Sequence, residues 1–251
     1  MRVMRVLLTP VLVLVYWQAV AQSGLVSAYL LPAPWTVAKT AMTMWETGLL
    51  PQHIAASLQR VAQGFSLSVA LGCLLAALTA RFSLLDQFLA APLSLLRMVP
   101  PLALIPLLIL WLGIGEATQI TIIVLASFFP FFLNVREGLS RLTDAQRELA
   151  RSLHLSPFRY IFYVVLPCGV PSIITGLRLT FGYSWRALVG AELIAASSGL
   201  GYLVVDAQQM MHTDEVIVGI LTIGLFGWSL DAAFRRLCAL TLRRRFPELD
   251  A

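Results

Sequence analysis

About six stretches of this chain, each close to twenty residues long and almost wholly apolar, leave it little choice of solvent. They run at approximately 6–22, 57–80, 92–112, 117–135, 168–189 and 216–239, with short polar punctuation between them. A helix of that length crosses a hydrocarbon layer about 30 Å thick, and it pairs its own backbone N–H and C=O groups where no water is available. Only 12% of the residues are charged, against about 25% in soluble domains, and mean hydropathy is +0.82. The expectation is an all-α polytopic membrane protein with about six transmembrane helices. In 251 residues this makes one membrane domain: a first helix and the start of an external segment over 1–30, then the main domain over 31–251.

The net charge of +5 would suit a nucleic-acid partner if the cations formed one face, but they follow the spans instead. Arg2 and Arg5 precede the first window and Arg81 follows the second. Arg136, Arg141, Arg147, Arg151 and Arg159 fill the loop after the fourth, and Arg235, Arg236, Arg243, Arg244 and Arg245 follow the sixth. The intervening loops are poor in cations: Lys39 lies in the first, with Arg60 just inside the next window. The positive-inside rule then puts both termini and the Arg-rich loop in the cytoplasm, and no nucleic acid is expected. Cys73, Cys168 and Cys238 fall in or beside apolar windows without metal or disulfide spacing and read as buried free thiols. The start of the chain, with Arg2, Arg5, an apolar run and Ala19-Val20-Ala21, imitates a cleavable leader. A retained signal-anchor agrees better with the charge direction of the later spans.

Local helix chemistry is clearest in the Arg-rich loop. Thr143 with Gln146 three residues later is a capping box, and Ala145, Leu149 and Leu153 recur at i, i+4 and i+8 as a narrow apolar stripe. A short amphipathic helix is expected from about Asp144 to Leu153. Ser156-Pro157 starts a second, running through Phe158–Val165 toward Pro167, and His154 stands where the chain must turn. Such a pair presents an apolar ridge to a groove on another protein, or it lies on the inner leaflet. The chain has no P-loop: its single lysine, Lys39, follows Thr36-Val37-Ala38 with no glycine.

The loop sequence Glu148-Leu149-Ala150, three residues, His154, nine residues, then Val164-Val165-Leu166-Pro167 resembles the signature of ATP-binding-cassette (ABC) importer permeases. That signature reads Glu-Ala-Ala, three residues, Gly, nine residues, Ile, one residue, Leu-Pro. Leu149 and His154 depart from it. Pro100-Pro101-Leu102-Ala103-Leu104-Ile105-Pro106, Gly113-Ile114-Gly115-Glu116, Gly176-Leu177-Arg178-Leu179, Trp185 and the segment Gly190 to Tyr202 are similar to the sulfonate, taurine and nitrate permease subfamily, aliphatic-sulfonate permeases most of all. The resemblance covers roughly 30–240. It implies a type I ABC importer permease fold in a bacterial inner membrane, with a cytoplasmic coupling loop at about 137–167. Glu148, Leu149, Ala150, Leu153, His154, Leu166 and Pro167 would meet the ATPase. It further implies separate ATPase subunits carrying ATP and Mg, a periplasmic solute-binding protein, a second permease copy and no cofactor in this chain. The family's glycine would serve a turn with positive φ, so His154 should adopt a left-handed or adjusted conformation.

For the path, Pro100, Pro101 and Pro106 interrupt the third window, and irregular backbone at membrane depth is tolerated beside a cavity or where packing absorbs a kink. Arg97, Arg178, Arg186 and Glu192 lie in or near spans. Pro100, Pro101, Arg178, Trp185, Arg186 and Glu192 are the path candidates. Arg97 alternatively snorkels from the cytoplasmic end, Arg178 alternatively pairs with a carbonyl or carboxylate, and Asp231 meets Arg235 at i+4. Two other classes fit worse. Ala196-Ser197-Ser198-Gly199 superficially matches a rhomboid-type serine protease, but none of His53, His154 and His212 lies in the last span to serve as base. A gradient-driven transporter would show paired repeats, and the two halves do not repeat visibly.

Overall fold

Small residues recur near every fourth position along the second window, and that spacing decides how the spans pack. The computed structural model describes residues 2–140 and 142–243. Arg141, Arg244 and Arg245, counted above among the loop cations, lie outside the described residues, as do the side chains of Arg2, Arg5, Arg147, Arg243 and Cys238. The described elements are helical: α1 (Arg2–Gln22), α2 (Pro34–Glu46), α3 (Leu49–Arg81), α4 (Ser83–Leu96), a 3₁₀ turn (Pro101–Leu104) and α5 (Ile105–Leu112) come first. Then follow α6 (Glu116–Ser140), α7 (Asp144–Ser152), α8 (Pro157–Tyr160), a π turn (Ile161–Val165), α9 (Leu166–Ala195), α10 (Leu200–Gln209) and α11 (Thr213–Arg243).

α3 buries Ser57, Gly64, Ser68, Gly72, Ala76 and Thr79 on one face, and α6 lies along it. Without a hydrophobic drive between helices in lipid, close backbone approach is what binds them, and small residues permit it. A Cβ on Gly72 would come 2.5 Å from the Phe131 ring of α6, which is fully buried. Ser68 and Ser127 bridge the same interface at 2.7 Å. α9 covers the other side of α6 with Gly169, Ser172, Gly176 and Thr180. α6 is therefore the central span. α10 and α11 close the remaining face, where Trp185, Leu188, Leu200, Leu203 and Val218 form one core, and Thr40 ties α2 to Asp214 of α11 at 2.6 Å.

Among the described residues, uninterrupted helices long and apolar enough to span a membrane lie at Leu49–Arg81, Glu116–Ser140, within Phe158–Gln209 and at Thr213–Arg236. The expected third span, 92–112, is corrected: it is two helices, α4 and the Pro101–Leu112 segment, meeting at 82° across residues 97–100. Consecutive Pro100 and Pro101 cannot donate to a helix, so the chain breaks there. Pro106 does not kink anything; it occupies the first turn of α5, where an N–H would be unpaired anyway. The first window forms α1, whose apolar described part is Leu8–Gln22, and Trp17 donates to Pro32 O at 3.1 Å. Cys73 is exposed rather than buried, because it points away from the α6-facing stripe, and Cys168 is partly buried.

Candidate functional site

The turn after α7 is built by local hydrogen bonds. Thr143 Oγ1 accepts from Gln146 N–H at 3.3 Å while Gln146 Oε1 accepts from Thr143 N–H at 3.0 Å, the reciprocal cap expected from the sequence. At the other end His154 N–H donates to Arg151 O (3.0 Å) and Leu155 N–H to Ala150 O (3.2 Å). With His154 at φ +47° this is a Schellman turn, the conformation that ordinarily selects glycine. Leu149 and Leu153, each 61% exposed, project outward together with Ala145, Glu148 and His154. Ala150 is different: at 5% exposure it faces inward, one helical turn from Gln146, whose Nε2 lies 3.5 Å from Cys168 Sγ on α9. Its assignment to a partner-contacting surface is corrected on that ground.

The second expected helix does begin at Pro157, but it does not stop at Pro167. It runs through the π turn into α9 without a break. Leu166 N–H reaches back five residues to Ile161 O, and the widened turn absorbs the donor that Pro167 lacks. Phe158 and Phe162, one turn apart and both exposed, meet with ring centroids 4.4 Å apart and planes tilted by 39°, beside Ile161 and Leu166. The loop thus carries an apolar ridge made from α7 and the start of α9.

Of the path candidates, Pro101 lines a groove of about 410 Å³ between the α4–α5 break, α6 and α9, and Pro100 adjoins it in the break. Three others sit elsewhere. Trp185, 8% exposed, packs into the main core over Gly227 of α11. Arg178 pairs with Asp231 at 3.7 Å, and Asp231 with Arg235 at 3.3 Å, so the neighbouring-carboxylate alternative holds. Arg186 is exposed on α9.

Glu192, 1% exposed, is the hub of a buried polar cluster and does not line the groove beside the break. Its carboxylate accepts from Ser57 Oγ (2.8 Å), Arg60 Nη1 (2.9 Å) and Gly201 N–H (3.0 Å). Arg60 also donates to Ser198 O and Ser198 Oγ, both at 2.7 Å, while Gly199 N–H donates to His53 Nδ1 at 3.0 Å. Leu200 N–H donates to Ser57 Oγ (2.8 Å), and Gln119 Nε2 to Ala195 O (2.6 Å). The α9–α10 corner is thereby held by side chains of α3, α6 and α9. Gly199, at φ +113°, passes so close to the Glu192 carboxylate that a Cβ would collide with it. Ser198 is engaged by a guanidinium and His53 by a backbone amide, which leaves no nucleophile–base pair in this segment. Sequence reasoning missed His53, Ser57 and Arg60, although i, i+4, i+7 spacing puts three polar residues on one face of an apolar helix.

Residues 68–245 match the family described as binding-protein-dependent transport system inner membrane component. The chain belongs to that family. It is 37% identical over 93% of its length to the "Putative aliphatic sulfonates transport permease protein SsuC" of Bacillus subtilis, covering 85% of that protein. It is 35% identical to the taurine transport system permease protein TauC of Escherichia coli, over 91% of this chain and 85% of that one. With the bicarbonate transport system permease protein CmpB of Synechocystis it shares 32% identity over 87% and 81%. Among solved structures, an amino acid ABC transporter described as "with histidines" superposes with a TM-score of 0.65 at 17% identity, covering 82% of this chain and 97% of that one. An inward-facing MetNI methionine transporter gives 0.58, also at 17% identity, over 83% and 97%. The fold is that of ABC importer permeases, and this permease is a membrane-embedded, non-catalytic subunit. ATP is hydrolysed in a separate ATPase subunit, and a substrate-binding protein completes the system.

Proposed function

We propose that this permease imports small oxyanions, aliphatic sulfonates first among them, across a bacterial inner membrane by alternating access. The identities to the SsuC and TauC relatives support that cargo over the bicarbonate of the more distant one. Because one permease supplies half of a translocation path, two copies assemble with two-fold symmetry on a pair of ATPases that carry ATP and Mg. The Arg residues at 81, 136, 151 and 159 support a cytoplasmic position for the α7 turn and for both termini. Exposed Leu74, Phe88, Leu110 and Trp228 suit lipid contact.

One observation carries the coupling assignment: Leu149 and Leu153 stand exposed on a helix whose two ends are fixed by a capping box and a Schellman turn. A rigid, apolar, outward-facing turn transmits a push in a way that a loose loop does not. Glu148, Leu149, Leu153, His154, Leu166 and Pro167 form or shape that contact, and Pro100 and Pro101 belong to the path. The test is affinity purification of the permease with mass spectrometry, followed by reconstitution with the recovered ATPase and binding protein. ATP-driven accumulation of radiolabelled ethanesulfonate is expected. Recovery without an ATPase, or an assembled complex that takes up no sulfonate, would refute the corresponding half of the proposal.

A further inference from the structure

The α4–α5 break delivers a cation to the middle of the span. α4 has 14 residues and so rises about 21 Å, which ends it inside a hydrocarbon layer of about 30 Å. Arg97 follows directly, at the helix end. The groove there is walled by Pro101, Phe129, Pro130, Leu179 and Tyr183. Phe129 and Pro130 lie midway along α6 (Glu116–Ser140), and Leu179 and Tyr183 midway along α9 (Leu166–Ala195), so three elements agree on the depth. The break is held in place: Leu102 presses on Gly190 of α9, where an added Cβ would come 2.9 Å from it, and Ile105 and Leu108 pack with Ile122, Ala187 and Ala191.

Arg97 also borders a smaller hollow of about 30 Å³ that contains Asp86 and Arg136. Those two pair with each other at 2.7 Å. Arg97 forms no ion pair or side-chain hydrogen bond among the described residues, and it is exposed toward the groove. An intramembrane charge left without a partner is costly unless water or a ligand reaches it. We infer that Arg97 is the cation that an oxyanion meets at mid-depth on its way through, its planar guanidinium donating to two ligand oxygens as the anion passes the break. The groove's other walls are apolar apart from the Tyr183 hydroxyl, so selectivity there rests on charge and size. This rests on the oxyanion cargo proposed above.

The experiment uses the complete importer, permease with ATPase and binding protein, in proteoliposomes. Arg97→Gln is expected to lower ethanesulfonate uptake about tenfold or more, the loss of a charge-assisted contact, while ATPase stimulation by loaded binding protein stays within about twofold of wild type. Arg97→Lys restores most of the uptake. A purely structural arginine would instead lower complex recovery and ATPase activity along with transport, with no rescue by lysine, and that result overturns the inference, as does normal uptake by Arg97→Gln. A second arm includes a labelling step that does not depend on the cargo. In a permease whose cysteines are replaced by serine, Arg97→Cys should react with the anionic, impermeant 2-sulfonatoethyl methanethiosulfonate, and excess ethanesulfonate should slow the reaction. Absence of labelling overturns the assignment even if the wild type transports sulfonates. A wild type that takes up no sulfonate refutes the cargo alone; where the wild type does take it up, labelling without protection refutes Arg97 as an oxyanion contact.

Discussion

A single arginine and a single glutamate fix the corner between α9 and α10. Arg60 and Glu192 are buried at 2.9 Å, and between them and Ser57 they satisfy most of the backbone groups that the corner would otherwise bury unpaired. A buried pair of this kind adds little net stability, but removing one member leaves an uncompensated charge. Glu192→Ala should therefore cost about 3–5 kcal/mol and appear as a large fall in melting temperature and membrane yield of the detergent-solubilised permease. Glu116 Oε1 lies 3.8 Å from Arg60 Nη2 but is 63% exposed and too well solvated to stand in for Glu192, and unchanged thermal stability would show that it does. His154 works in the opposite sense. Its φ of +47° is tolerated, not preferred, so His154→Gly should be neutral to about 1 kcal/mol stabilising, with ATPase co-purification unchanged. Loss of the ATPase from that variant would show that the imidazole makes a contact of its own.

At the scale of elements, the two sides of the α7 helix differ in burial. Gln146 and Ala150 dock it on the chain, and Ala145, Leu149 and Leu153 face away. A charge on the outward stripe should weaken docking of the ATPase without disturbing the spans. Leu149→Asp is expected to lower ATP-dependent uptake about tenfold and to deplete the ATPase from pull-downs at normal membrane insertion. Ala150→Asp is the weaker test, since a buried carboxylate would damage the permease itself. The α3–α6–α9 sandwich has a different character: its small-residue faces leave no room to slide, so it forms a rigid frame.

For the whole molecule, the groove beside the α4–α5 break is open, and in the two-copy assembly proposed above a second permease would close it. One chain lines it with the end of α4, the break, α6 and α9, and Leu95, Met98, Leu102 and Leu110 are exposed on the same segment. Native mass spectrometry of the purified complex should accordingly give two permease copies per pair of ATPases. A stable complex with one permease copy would require a different partner to close the path.

What the amino-acid order determined by itself was whatever depends on neighbours within a few turns of helix: the apolar windows, the Thr143–Gln146 cap, the turn at His154 and the proline break after Met98. The family signature was legible for the same reason, since Glu148 to Pro167 is a local spacing. Only the tertiary structure decided which of the polar residues in spans were struts and which faced open space. Arg60 and Glu192 are 132 positions apart and Arg178 and Asp231 are 53 apart, so no local pattern could pair them. Trp185 was expected on the path and Ala150 on the ATPase-facing surface, and packing buries both. Arg97 kept an open environment beside the groove and Arg186 an exposed one on α9, because burial and pairing are properties of what another helix brings alongside.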